Sequence, residues 1–122
     1  MADQVCILVH RPPYGAINAA EALRHLNGAT AHGLETTAIL LGDGVYVART
    51  GQVLGTTGWR GLSSALENTL EHAEEGYPRL WVDEASLRAR GIENRSLVPG
   101  AVVVNGPAIA DAVSRARWVM VY

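Results

Sequence analysis

Four polar residues in this chain follow apolar runs and could carry chemistry together. They are His10 and Arg11 after Val5–Val9, Asp43 after Thr37–Leu41, and Asp83 after Leu80–Val82. Asn105 holds the same position after Ala101–Val104. A histidine so placed could act as a general base or proton shuttle, the arginine as an anion clamp, and the two carboxylates as orienting or metal-binding groups. Each also has a structural alternative. Asp83 directly precedes a predicted helix and suits an N-cap, and Asn105 suits the same role ahead of Pro107. Asp43 lies between Gly42 and Gly44, where its carboxylate can bond local backbone in a tight turn. Arg11 could equally pair with a surface glutamate. In His10-Arg11-Pro12-Pro13-Tyr14-Gly15 two prolines stiffen the loop, which fixes how His10 and Arg11 project.

Other chemistries are excluded or poorly supported. All ten basic residues are arginine, so neither a Schiff-base lysine nor the phosphate-contacting lysine of a P-loop is present. The single cysteine, Cys6, cannot form an internal disulfide or a multi-cysteine metal site. It sits in the middle of an apolar run, where burial raises a thiol's pKa and suppresses the thiolate. His25, His32 and His72 fall on predicted helices without a spacing that joins them to a metal site. Gly42-Asp43-Gly44 lacks the G-x-G-x-x-G continuation of a dinucleotide loop. Hydrolysis using His10 with an aspartate lacks a nucleophile with a base beside it. No cofactor or metal is expected.

The elements that must position these groups follow from the hydrophobic pattern. The chain has 122 residues, 48% of them hydrophobic, and a formal charge of −2. That length suits one domain able to bury roughly two-thirds of the surface its unfolded form exposes. Neither a membrane span nor a signal-peptide pattern is evident, so a cytoplasmic setting is expected. Nucleic acid is not an expected partner, because clustered basic residues are missing.

Five apolar, β-branched runs, Val5–Val9, Thr37–Leu41, Leu80–Val82, Ala101–Val104 and Trp118–Val121, predict strands covered on both faces. Helices are predicted between them. From Gly61 to Glu75, the residues Leu62, Ala65, Leu66, Thr69, Leu70 and Ala73 repeat at i, i+3, i+4, i+7. Others are predicted at about Ile17–His32, Glu84–Arg90 and Pro107–Ala116, with Gly91 as a stop and Pro107 as a start. Alternating strands and helices imply right-handed crossovers and an α/β class. The expected architecture is a three-layer α/β/α domain with a mostly parallel five-stranded sheet. In such sheets ligands bind beyond the strand carboxyl ends. Two stretches resist the pattern, Ala48–Arg60 and Asn94–Pro99. The first contains Val53, Leu54 and Trp59 and suits an ordered lid or a subunit contact.

Two passages resemble a known family. Leu41-Gly42-Asp43-Gly44-Val45-Tyr46 is similar to the "DGV" turn of the DsrE/DsrF/TusC group. The passage Leu80-Trp81-Val82-Asp83-Glu84-Ala85-Ser86-Leu87-Arg88-Ala89-Arg90-Gly91-Ile92 resembles the strand and "SLRxRG" helix of its TusC/DsrF-type members. The resemblance implies a five-stranded parallel sheet and association into homo-trimers or homo-hexamers, or hetero-oligomers with carrier-type paralogues. It also implies a role in passing persulfide sulfur between proteins, in tRNA thiolation or sulfur oxidation. In the sulfur-carrying members a cysteine follows the third strand, near a helix N-terminus that would favour its thiolate. Here the matching stretch, Trp81-Val82-Asp83-Glu84, has none. The expectation is therefore a non-carrier assembly or docking subunit, with Tyr46, Val47, Leu54 and Trp59 as candidate contact residues. The alternative is a small-ligand or anion-binding protein using His10, Arg11, Asp43 and Asp83.

Overall fold

The computed structural model describes residues 3–52 and 61–122. Val53, Leu54 and Trp59, candidates for a lid or contact, lie outside the described residues. The strands are β1 (Gln4–Val9), β2 (Glu35–Leu40), β3 (Arg79–Asp83), β4 (Ala101–Val104) and β5 (Trp118–Val121). They form one sheet in the order β4-β3-β2-β1-β5, with every neighbouring pair parallel. The helices are α1 (Asn18–Ala31), α2 (Leu62–Glu71), α3 (Glu84–Ala89) and α4 (Gly106–Arg115). Two 3-10 segments, Gly42–Ala48 and Asn94–Ser96, complete the described elements.

From β1 to β4 the chain moves one strand at a time in a single direction. A right-handed crossover at each step places the connecting helices on the same face. That face holds the main core, in which Ile7, Val9, Ala38, Leu40, Leu80 and Val82 meet Ala22 and Leu26 of α1, Leu66 of α2 and Leu87 of α3. Two valines and an alanine of the first 3-10 segment, Val45, Val47 and Ala48, complete it. The last crossover returns from β4 across the sheet to β5, so α4 packs on the opposite face. Ile109 there meets Cys6 and Ile39, with Leu8, Trp81 and Val113 packed around them. One ten-residue helix cannot cover five strands, and among the described residues both edges are left open. Val102 on β4 and Val119 and Val121 on β5 are exposed. The expectation of strands covered on both faces therefore holds for the centre of the sheet and not for its edges.

Local boundaries also have physical reasons. Helix α2 ends at Glu71 rather than Glu75 because the chain turns back on itself. Glu75 (φ 55°) and Gly76 (φ 84°) take left-handed conformations, and Glu74 and Tyr77 exchange backbone hydrogen bonds of 3.0 Å. The Asn94–Pro99 stretch is irregular in sequence because it runs alongside the end of the first 3-10 segment. Val98 N–H donates to Ala48 C=O at 2.8 Å, Thr50 N–H to Ser96 C=O at 2.8 Å, and Leu97 and Val98 are buried. Val47, one of the expected contact residues, lies in the core at 5% exposure, because the 3-10 turn winds its side chain beneath the sheet end.

One glycine is fixed by close approach rather than by a special dihedral. A Cβ on Gly44 would stand 1.9 Å from the Val9 carbonyl oxygen and 2.6 Å from its carbon. The Gly42–Gly44 turn thus lies directly on the carboxyl end of β1. Gly44→Ala should lower the unfolding free energy by about 2–4 kcal/mol, since backbone and not a flexible side chain must yield. Urea denaturation of the two proteins measures this.

Candidate functional site

The carboxyl ends of β1, β2 and β3 meet at the Gly42–Gly44 turn. Asp83 ends β3 with extended backbone and caps α3, its Oδ2 accepting from Ser86 N–H at 3.2 Å and from Ser86 Oγ at 2.5 Å. Ser86 Oγ in turn accepts the Gly42 N–H at 2.9 Å. One carboxylate thus ties the start of α3 to the turn after β2. Asp43 is bound from the other side, with the Arg90 Nε donating to its Oδ1 at 3.0 Å. Arg90 also donates to the Ser86 carbonyl at 3.2 Å. Asp43 and Asp83 are therefore joined through Ser86 and Arg90, which stand in the SLRxRG-like passage of the sequence but are not among the expected site residues. Ser86 was findable, as it stands three residues after an acidic N-cap. Arg90 carried no local signal for this contact, because its partner is 47 positions away.

The histidine and arginine expected beside these carboxylates stand apart from that network. His10 and Arg11 are exposed, and His10 is tied through its backbone N–H to the Tyr122 carbonyl at 2.9 Å. The two prolines that follow lead to Tyr14, whose hydroxyl donates to Gln52 Oε1 at 2.6 Å and accepts the Leu62 N–H at 3.1 Å. Gln52 Nε2 donates to the carbonyls of Tyr46, Val47 and Arg49. Tyr14 and Gln52 together satisfy the start of α2, where Gly61 has no capping side chain. A shallow depression of about 380 Å³ lies here, lined by Pro12, Pro13, Tyr14, Tyr46, Arg49 and Gln52, and by none of the four expected ligand residues. Asn105 caps α4, accepting the Ala108 N–H at 2.9 Å.

Cys6 faces the opposite side of the sheet from the main core. It is 3% exposed, with its sulfur 3.7 Å from the Ala112 carbonyl of α4. Burial pushes the thiol's pKa up, and the nearby Arg79 charge offsets only part of that. Arg79 lies over the Trp81 ring at 4.7 Å and the Tyr77 ring at 5.2 Å, and its Nε donates to Thr37 Oγ1 at 3.1 Å. Among the described residues no cluster of three or more His, Cys, Asp or Glu side chains is arranged to hold a metal ion.

These features define an open parallel α/β domain whose strand-end carboxylates are engaged in capping and ion pairing. The chain belongs to the DsrE/DsrF-like family, whose model matches residues 3–122. Its fold is shared with the YchN protein from E. coli, at 19% identity over 100% of both chains and a TM-score of 0.83. It is also shared with MTH1491 from Methanobacterium thermoautotrophicum, described as a protein of unknown function. There the identity is 15%, over 97% of this chain and 98% of the other, with a TM-score of 0.67. No curated protein matches the sequence significantly. No described helix is long and apolar enough to cross a membrane.

Two outcomes follow from this geometry. Asp83→Ala should cost about 1 kcal/mol of stability, and Asp83→Ser, which restores an N-cap oxygen, appreciably less; thermal or urea unfolding ranks the three. Native Cys6 should react with a thiol reagent at least ~100-fold more slowly than in the unfolded chain, a consequence of its burial and lost thiolate. Its folded pKa lies above the unfolded value. The associated stability is therefore complete below the unfolded pKa and lost as the pH rises through the folded one.

Proposed function

We propose that this protein is a non-catalytic, non-carrier subunit related to intracellular sulfur transfer, working in the cytoplasm as part of an oligomer that offers a docking surface to a sulfur-carrying partner. The observation that carries this is the end of β3. Where the resemblance to carrier members calls for a cysteine, Asp83 is bonded to Ser86 N–H and Oγ. A carboxylate cannot hold a persulfide, and Cys6 is buried beneath α4 with a raised pKa. Membership of the family over residues 3–122 supports the sulfur-related setting. Open apolar side chains on β4 and β5 support association.

Light scattering of the purified protein, with and without reductant, tests the assembly. A trimer or hexamer indifferent to reductant is expected, and a monodisperse monomer at micromolar concentration would overturn the oligomeric role. The non-carrier role is tested by treatment with a small-molecule persulfide and measurement of intact mass. The native protein should gain no sulfur, while the unfolded chain gains one atom on Cys6; stable persulfidation of the native protein would contradict the assignment.

A second reading is favoured by the openness of His10 and Arg11 at the end of β1. They would bind a small anion there, with Asp43 and Asp83 fixing the loops around it rather than contacting the ligand through free carboxylates. A rise in melting temperature with inorganic phosphate or a nucleotide, lost in Arg11→Ala, is the expected sign; no rise with any anion tried removes this reading.

A further inference from the structure

The backbone of β5 has one strand beside it, β1, and its other side is open among the described residues. Which residues face that open side follows from the hydrogen bonds. Tyr122 N–H donates to the Leu8 carbonyl at 2.8 Å, and the Tyr122 carbonyl accepts His10 N–H at 2.9 Å. Both polar groups of Tyr122 therefore point at β1. In a parallel pair this orientation alternates along the strand, so Met120 and Trp118 also face β1, while Val119 and Val121 turn their N–H and C=O outward. The strand has no charge, proline or bulge to discourage pairing. Trp118, Val119 and Val121 are 46%, 40% and 61% exposed, whereas the opposite edge, β4, leaves only Val102 open to this degree.

We propose that β5 pairs antiparallel with β5 of a second copy about a two-fold axis, joining two five-stranded sheets into one continuous sheet. The proposal rests on the oligomeric reading above and gives its hexameric form a specific two-fold contact between trimers. The register follows from symmetry. Opposite residues of an antiparallel pair point to the same face, so a two-fold perpendicular to the sheet must pass between one residue and its own copy. Centred on Val119, it would set the Arg117 guanidinium against Val121. Centred on Val121, it would set Met120, which packs against the main core, and not the exposed Trp118, opposite Tyr122. Centred on Met120, it makes Val119 and Val121 of the two copies opposite partners, each pair exchanging both N–H···O bonds through the groups that face outward.

The same register stacks matching side chains. On one face Val119 meets Val121. On the other Trp118 lies opposite Tyr122, an aromatic cross-strand pair. Arg117, just outside the paired segment, is already engaged by the Trp118 ring at 4.7 Å and by Asp3 at 3.6 Å, so its charge need not be buried unpaired. Tyr122 is held from α1 by its hydroxyl contact with His25 Nδ1. A foreign strand would satisfy the backbone equally well; the pairing of both exposed valines and of the aromatics by a single symmetric register favours a second copy.

Val119→Pro separates the possibilities, because it deletes an N–H that points away from β1, and edge strands tolerate proline there. The expected result is a protein with unchanged circular dichroism whose assembled mass is halved, the apparent dimer Kd rising at least ~100-fold. A trimeric original protein, which has no two-fold axis, or a variant whose assembled mass equals that of the original, overturns this interface while leaving the oligomeric reading intact. A monomeric original protein overturns both. Amide hydrogen exchange on the original protein gives an answer even if the proline variant fails to fold. Protection of the Val119 and Val121 amides in the assembled state supports the pairing. Free exchange of both overturns it and leaves the edge open to another strand.

Discussion

The rest of the molecule depends on the handedness of its crossovers. Each step from β1 to β4 advances by one strand in the same direction, and a right-handed turn at every step stacks α1, α2 and α3 on a single face. The chain can reach β5, beside β1, only by crossing back over the sheet, which carries α4 to the other face. The result is asymmetric. One face is a deep core closed by three helices and a 3-10 segment, while the other is a narrow cluster under one helix with open margins. Cys6 is buried because it lies beneath that helix, and the apolar surface of β5 is open because α4 does not extend over it.

The polar ends of the strands show how little freedom the same frame leaves for chemistry. The turn after β2 is pressed so closely on the carbonyl of Val9 that only glycine fits at position 44. Held there, Gly42 meets the Ser86 hydroxyl and Asp43 meets Arg90, so both aspartates are engaged in holding loops. The half-buried Asp83 carboxylate stabilises a helix start by accepting hydrogen bonds, and the exposed Asp43 carboxylate holds an inter-loop contact. His10 and Arg11 are exposed and stand outside this network, and the stiff Pro12-Pro13 segment directs Tyr14 to the start of α2 instead of toward them.

Under the proposed function, the carboxylate at the end of β3 separates family membership from the chemistry of carrier members. A fold held by alternating strands and helices accepts Asp or Cys at that position, since both can follow an extended strand. Only the thiol can carry sulfur. An N-cap that bonds Ser86 twice is a structural use of the position.

Strand and helix identity was legible in the residues alone because the apolar runs are continuous and the helical spacings regular. Ala101–Val104 and Trp118–Val121 coincide with β4 and β5, and Asp83 and Asn105 cap the helices their positions indicated. These are local effects, set by propensity, pleat and capping within a few residues. Tertiary structure alone decided what depends on distant partners. Arg90 meets Asp43 and Ser86 meets Gly42 because β2 and β3 are neighbours, Val47 is buried because a turn winds it under the sheet, and α2 stops at Glu71 because the chain folds back onto Tyr77. Which strands lie at the edges, and which of their backbone groups face outward, is likewise absent from any local pattern. Strand order is set by the path of the crossovers, and a valine in the middle of a sheet and one on its rim look the same in the sequence.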